Sequence, residues 1–151
     1  MDNNVSDASG NGNDGSISSP DWNSSGKFDS CLSLDATDGR SVIHAGLSAD
    51  LPSVTLSLWV FPKSENFHLF QSDGFSSLTW MVEKRRPVIE FSGLDQAYLP
   101  GGTPDLVHGR NYLTPHQWHH LALTYDLQKR NLSLFFNGQL DLDSSFSGNL
   151  P

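Results

Sequence analysis

The chain has 151 residues, with 17 acidic against 9 basic side chains and a formal net charge of -8. An apolar fraction of 36% with 11% aromatics excludes a disordered chain, and the length suits one domain with a real hydrophobic core. The acidic balance argues against nucleic acid, because a polyanion partner requires a basic patch that displaces counterions.

Residues 1–30 are dominated by Asp, Asn, Ser and Gly. Met1-Asp2-Asn3-Asn4 offers neither a basic nor an apolar leader region, so any export signal of a parent protein is expected outside this chain. Ser9-Gly10-Asn11-Gly12-Asn13-Asp14-Gly15 consists almost entirely of turn formers and reads as an ordered loop or a linker. Trp22 and Phe28 are the aromatics of residues 1–30 and are expected to pin that segment to a core. Asn4-Val5-Ser6, Asn23-Ser24-Ser25 and Asn131-Leu132-Ser133 match the glycosylation sequon but carry little weight by themselves. Cys31 is the single cysteine, so no intramolecular disulfide forms.

From Leu32 onward the pattern has period two. Val54, Leu56, Leu58 and Val60 share one strand face, with Thr55, Ser57 and Trp59 on the other. Phe67 and Leu69 mark a short strand that closes at Ser72-Asp73-Gly74. Leu78, Trp80 and Val82 alternate with Thr79, Met81 and Glu83. Lys84-Arg85-Arg86, before Pro87, reads as a solvated turn, and Val88 to Phe91 as the next strand. Residues 94–116 read as a long irregular stretch, with a short strand around Ala97 to Leu99; loops this long are often functional.

The last third is the clearest. Leu121, Leu123 and Tyr125 define one face of a strand from Trp118 to Asp126, and Leu132, Leu134 and Phe136 one face of the next. Asn137-Gly138 supplies a type I′ hairpin turn, because both residues accept positive φ. Leu140 and Leu142 return along a third strand, with Asp141 and Asp143 expected to face out. No stretch has a convincing helical period. Membrane insertion is not expected, since no apolar run is long enough to span a bilayer.

Four segments together resemble the laminin G-like, concanavalin A-like lectin/glucanase domains. They are Asp7 to Gly15; Gly26-Lys27-Phe28 with Leu32-Ser33-Leu34-Asp35; Val54 to Pro62; and Trp118 to Asp126 with Leu134 to Gly138. The resemblance implies an all-β fold, an antiparallel two-sheet jelly-roll sandwich. It also implies a module that binds glycan or extracellular protein, placed outside the cell or on its surface. One domain spanning 1–151 is expected, with a loop-rich segment over 1–30 and a strand-rich body over 31–151. Relatives carry a strand before the first segment and further strands after the Asn-Gly hairpin. The chain therefore reads as a partial domain, and self-association through an exposed sheet edge is expected.

Glucanases of this fold class carry a Glu-x-Asp-x-x-Glu strand for acid and nucleophile. Glu65, Glu83 and Glu90 do not fit that spacing, so no catalytic residue is expected. Asp141 and Asp143 read as a solvated face; a glycoside hydrolase remnant is the weakest alternative. His119 and His120 are adjacent on a strand and point to opposite faces, which disfavours zinc. Calcium fits the Asp7 loop better, and the resemblance makes Asp7, Asn11 and Asn13 its ligands. An Asx turn capping its own backbone explains the same residues. For sugar binding, Tyr98 stands first, near Asp95, Gln96 and Asp105, with Trp59 second. The leading function is a non-catalytic carbohydrate-binding module, and the alternative is a structural or adhesive module that contacts protein.

Overall fold

A computed structural model describes residues 4–17, 21–34, 43–44, 53–71, 77–92, 106–126 and 128–145. Every regular element among them is a β-strand. The chain forms two compact units, 1–48 and 49–151, so the change in composition near residue 30 falls inside the first.

In the first unit, β1 (Ser16–Ile17), β2 (Asp21–Asn23), β3 (Cys31–Ser33) and β4 (Ile43–His44) are short. β1 pairs with β4 and β2 with β3, both antiparallel, with Trp22 opposite Leu32. The loop before β1 closes where Gly15 donates its N–H to the Val5 carbonyl at 2.8 Å.

The second unit holds two four-stranded antiparallel sheets. Its strands are β5 (Ser53–Val60), β6 (Phe67–Gln71), β7 (Ser77–Glu83), β8 (Arg86–Ser92), β9 (Leu106–His108), β10 (His119–Asp126), β11 (Asn131–Phe136) and β12 (Gln139–Ser145). The first sheet runs β12-β11-β10-β5 and the second β6-β7-β8-β9. Period-two alternation sends Leu121, Leu123, Tyr125, Leu132 and Leu134 inward from the first sheet. They join Trp80, Val82, Ile89 and Val107 of the second in one buried cluster, closed by Leu113. This is the inner layer of a sandwich, and burying each large side chain contributes roughly 1.5–3 kcal/mol.

Most expected strands are present, with three departures. First, the interval read as irregular contains β9, a three-residue edge strand paired to β8. The expected strand around Ala97 to Leu99 lies outside the described residues. Second, β8 starts at Arg86, so that side chain does not belong to a solvated turn. Its Nε and Nη2 donate to the Gly109 carbonyl at 2.9 and 2.6 Å, and its guanidinium sits 5.4 Å from the Tyr112 ring centroid. Third, β12 does not alternate simply. Phe135 pairs with Leu140 but Leu134 pairs with Leu142, which leaves Asp141 as the extra residue of a β-bulge.

That bulge reverses one expectation. Asp141 is buried, at 3% exposure, while Leu140 is 58% exposed. The reason is hydrogen bonding. Asp141 Oδ2 accepts the Arg110 N–H at 2.9 Å; Oδ1 accepts the Asn111 N–H at 3.1 Å and the Asn111 amide at 2.5 Å. Three donors compensate the carboxylate for lost water. The contact also pins β12 of one sheet to the segment that follows β9 of the other.

The segment at Gly109 is tight. A Cβ there would lie 2.5 Å from Asp141 Oδ2 and 2.8 Å from Leu134 Cδ2. Gly109→Ala is therefore expected to destabilise the protein by about 1–3 kcal/mol, and Asp141→Ala by a similar or larger amount, since it strands buried N–H groups. Urea titration checks both. A different effect is expected at the β7–β8 turn, where Lys84 and Arg85 hold φ of 48° and 67° without a glycine. Replacing them with Asn-Gly is expected to raise stability by roughly 1 kcal/mol, read by the same titration.

Candidate binding face

The outer face of the first sheet of the second unit carries aromatic and apolar groups at one end and polar groups at the other. Strand register arranges its outward residues in rows. Trp59 stands opposite His120; Ser57 opposite Ala122, then Phe135 and Leu140. Thr55 stands opposite Thr124, then Ser133 and Asp143; Ser53 opposite Asp126, then Asn131 and Ser145.

Trp59 lies on this face as the alternation of β5 requires, and it is 40% exposed. Its ring centroid is 5.1 Å from that of His120. His120 Nε2 is 2.9 Å from the Ser57 hydroxyl, and the His120 backbone N–H donates to Asn137 Oδ1 at 2.9 Å. Asn137 has φ of 50° and Gly138 of 80°, the left-handed pair that the Asn-Gly turn requires. The turn thereby fixes the backbone beside the aromatic pair. Phe61 continues the same end, 5.4 Å from the Trp118 centroid and 6.1 Å from that of His116.

His119 faces the other way, as adjacent strand residues must. It is 5% exposed, packs on Phe136 at 5.2 Å, and its Nε2 lies 2.9 Å from the Thr114 backbone N. The two histidines do not converge. No group of three or more His, Cys, Asp or Glu among the described residues is placed to hold a metal ion.

At the opposite end of the outer face lies an open concavity of about 390 Å³. Ser53, Thr55, Thr124, Asp126, Lys129, Asn131 and Ser133 line it, with Val54 and Tyr125 between. Lys129 Nζ reaches Asp126 Oδ2 at 2.9 Å, and the Lys129 N–H donates to Oδ1 at 2.9 Å. The Ser133 hydroxyl lies 2.7 Å from Asp143 Oδ1 and 3.0 Å from Asn131 Oδ1. This group is not legible in any one strand of the sequence. Its signal was the outward polar positions of three strands, but only the register aligns them.

The Asp7 loop brings the three proposed calcium ligands into one turn. Asp7 Oδ1 accepts the Ser9 N–H at 2.8 Å and Oδ2 accepts the Asn13 N–H at 2.9 Å. The Asp7 N–H donates to Asp14 Oδ1 at 2.7 Å, and the Asn11 amide donates to Ser9 Oγ at 3.0 Å. This is an Asx-turn arrangement, in which side chains satisfy the loop's own backbone. Asp7 and Asp14 supply carboxylate oxygens of the hard kind calcium takes, so the donor chemistry fits the ion. Tyr98, Asp95, Gln96 and Asp105 lie outside the described residues.

Hydrogen bonds lower the pKa of one carboxyl in the first unit and two in the second. The Ser9 hydroxyl and then the Asn13 N–H lower the Asp7 carboxyl to about 2. The Lys129 N–H first, then its ammonium, lowers Asp126, and the Ser133 hydroxyl lowers Asp143. Burial raises the Tyr125 phenol to about 12. The lowered carboxylates stabilise the fold above their ordinary 3.8, and that contribution is lost as pH falls below it. The tyrosine works in the other sense: its contribution is complete below 10.0 and is lost as pH rises toward 12. Thermal melting across pH is expected to show both declines. Tyr125→Phe should flatten the alkaline one and Asp126→Asn should make the acid one shallower.

A laminin G family model, described as the concanavalin A-like lectin/glucanases superfamily, matches residues 35–151. No curated protein and no solved structure matches the chain. The family suggests binding to a ligand or a protein in general, and its domains are often extracellular; the wider superfamily includes glycosidases. Together with the two antiparallel sheets and their shared core, the match over most of the chain establishes that this protein belongs to the concanavalin A-like lectin/glucanases superfamily.

Proposed function

We propose that this chain is a non-catalytic carbohydrate-binding module of a secreted or cell-surface protein. The observation that carries the reading is Trp59. A large ring, 40% exposed on a strand face otherwise made of Ser and Thr, lies beside the Ser57 hydroxyl and the His120 imidazole. The apolar face of a sugar packs on such a ring while its hydroxyls meet neighbouring polar groups. Tyr98, with Asp95, Gln96 and Asp105, is proposed as a second contact on its composition. A structural calcium at Asp7, Asn11 and Asn13 is proposed from their oxygen-rich donor set.

The placement of the carboxylates supports a non-catalytic role. Asp141 is buried against backbone donors and Asp143 faces Ser133, so they do not form an opposed pair across a cleft. A second reading, a module that contacts an extracellular protein, draws on Phe61 and Leu140, exposed at 38% and 58%.

A glycan array is the direct test, run with and without calcium. Binding to at least one glycan class is expected. Trp59→Ala should weaken it about tenfold or more, equivalent to ~1.4 kcal/mol, and Tyr98→Ala should weaken it too. An array with no binder in either condition would overturn the carbohydrate reading. Millimolar calcium is expected to raise the melting temperature through preferential binding to the folded chain; an unchanged melt, with or without chelator, removes the ion from the proposal.

A further inference from the structure

Trp59 and the polar concavity lie on the same sheet face, at opposite ends of one pair of strands. β5 and β10 pair in register throughout, from Val60–His119 to Ser53–Asp126. At a rise of about 3.4 Å per residue, Thr55 lies about 14 Å along the strand from Trp59, and Ser53 about 20 Å. The ground between them is low. Ser57 and Ala122 occupy the intervening outward positions of these two strands, and both side chains are small. On the neighbouring strands the same row carries Phe135 and Leu140, which are large. The face therefore has a track along β5 and β10, with an aromatic end, a small-residue floor, a side wall and a hydroxyl-lined basin.

The chemistry of the basin selects its occupant. Its outward groups are the hydroxyls of Ser53, Thr55, Thr124 and Ser133, the Asn131 amide and the Asp126–Lys129 pair. The Lys129 charge is already matched by Asp126 at 2.9 Å, and Asp143 adds a further carboxylate beside Ser133. A net charge of -8 on the whole chain opposes an anionic ligand as well. Hydroxyl and amide groups without a free cation suit a neutral polyol, which both donates and accepts.

We propose that the concavity is a second sugar subsite on the face that bears Trp59, so that the module grips an internal stretch of a neutral linear polysaccharide rather than a single sugar or a chain end. This rests on the carbohydrate reading above. Two subsites on one rigid sheet act as linked contacts, and a ligand long enough to reach both gains affinity without new chemistry at either.

The test is a length series of neutral linear oligosaccharides, from disaccharide to octasaccharide, of whichever polymer binds best on the array. Calorimetry on the full chain is expected to show affinity rising at least tenfold with length and then levelling once both subsites are filled. Thr55→Val and Thr124→Val, which remove hydroxyls without altering strand preference, should weaken the longest ligand severalfold and leave the disaccharide unchanged. Ala122→Phe should obstruct the track and abolish the length dependence. Trp59→Ala should weaken every length. Affinity that does not change beyond the disaccharide, wild-type binding of the longest ligand by both valine variants, or tighter binding of polyuronides of equal length would each overturn the second subsite while leaving carbohydrate binding intact. An array without any binder overturns both.

Discussion

The buried carboxylate of Asp141 sets the relation between the two sheets of the second unit. A carboxylate at 3% exposure is tolerable only with donors on its lone pairs, and here they come from Arg110 and Asn111. Those donors belong to the segment after β9, whereas Asp141 belongs to β12. Neighbouring contacts extend the link. The Gly109 N–H donates to the Pro87 carbonyl at 2.8 Å, its carbonyl accepts from Arg86, and the Leu113 N–H reaches the Arg85 carbonyl at 2.7 Å. Asp141 and these neighbouring bonds together hold the end of one sheet, the exit from the other, and the β7–β8 turn in a single arrangement.

The bulge at Asp141 also shapes the outer face. The extra residue lets Leu140 remain outward opposite Phe135 while Leu142 turns back toward the core opposite Leu134. Without the bulge, strict alternation would put Leu140 and Leu142 on one side. The wall beside the β5–β10 track is therefore a consequence of how a buried charge found its partners. Structure and candidate function meet in the same seven-residue strand.

The turns show two ways of meeting one geometric demand. Asn137-Gly138 enters the left-handed region with residues that accept it readily. Lys84-Arg85 enters the same region with residues that resist it. External bonds compensate: the Lys84 N–H donates to Asn66 Oδ1 at 2.8 Å and the Arg85 N–H to the Glu65 carbonyl at 2.9 Å. The accompanying Arg85–Glu65 ion pair, at 3.6 Å between exposed groups, contributes little beside them.

Much of the fold was written in local sequence. Period-two runs determined the strands from Val54, Leu78, Leu121 and Leu132, because a strand exposes alternate residues to core and water. Asn137-Gly138 determined the hairpin, and the inward and outward faces of Trp59, His119 and His120 followed from parity alone. Of the four spaced segments, those from Val54 and from Trp118 lie within the residues that match the family. Tertiary structure decided the rest, wherever the partner was distant in sequence. Asp141 looked solvated because nothing near it reveals donors that lie about 30 residues back along the chain. β9 was too short for its own period to stand out and exists through pairing with β8. The polar concavity needed three strands in register, since Thr55, Thr124 and Ser133 acquire a common surface only when hydrogen bonding aligns them. Parity is a property of one strand and is legible in it; register and the partners of buried polar groups belong to the assembled sheets.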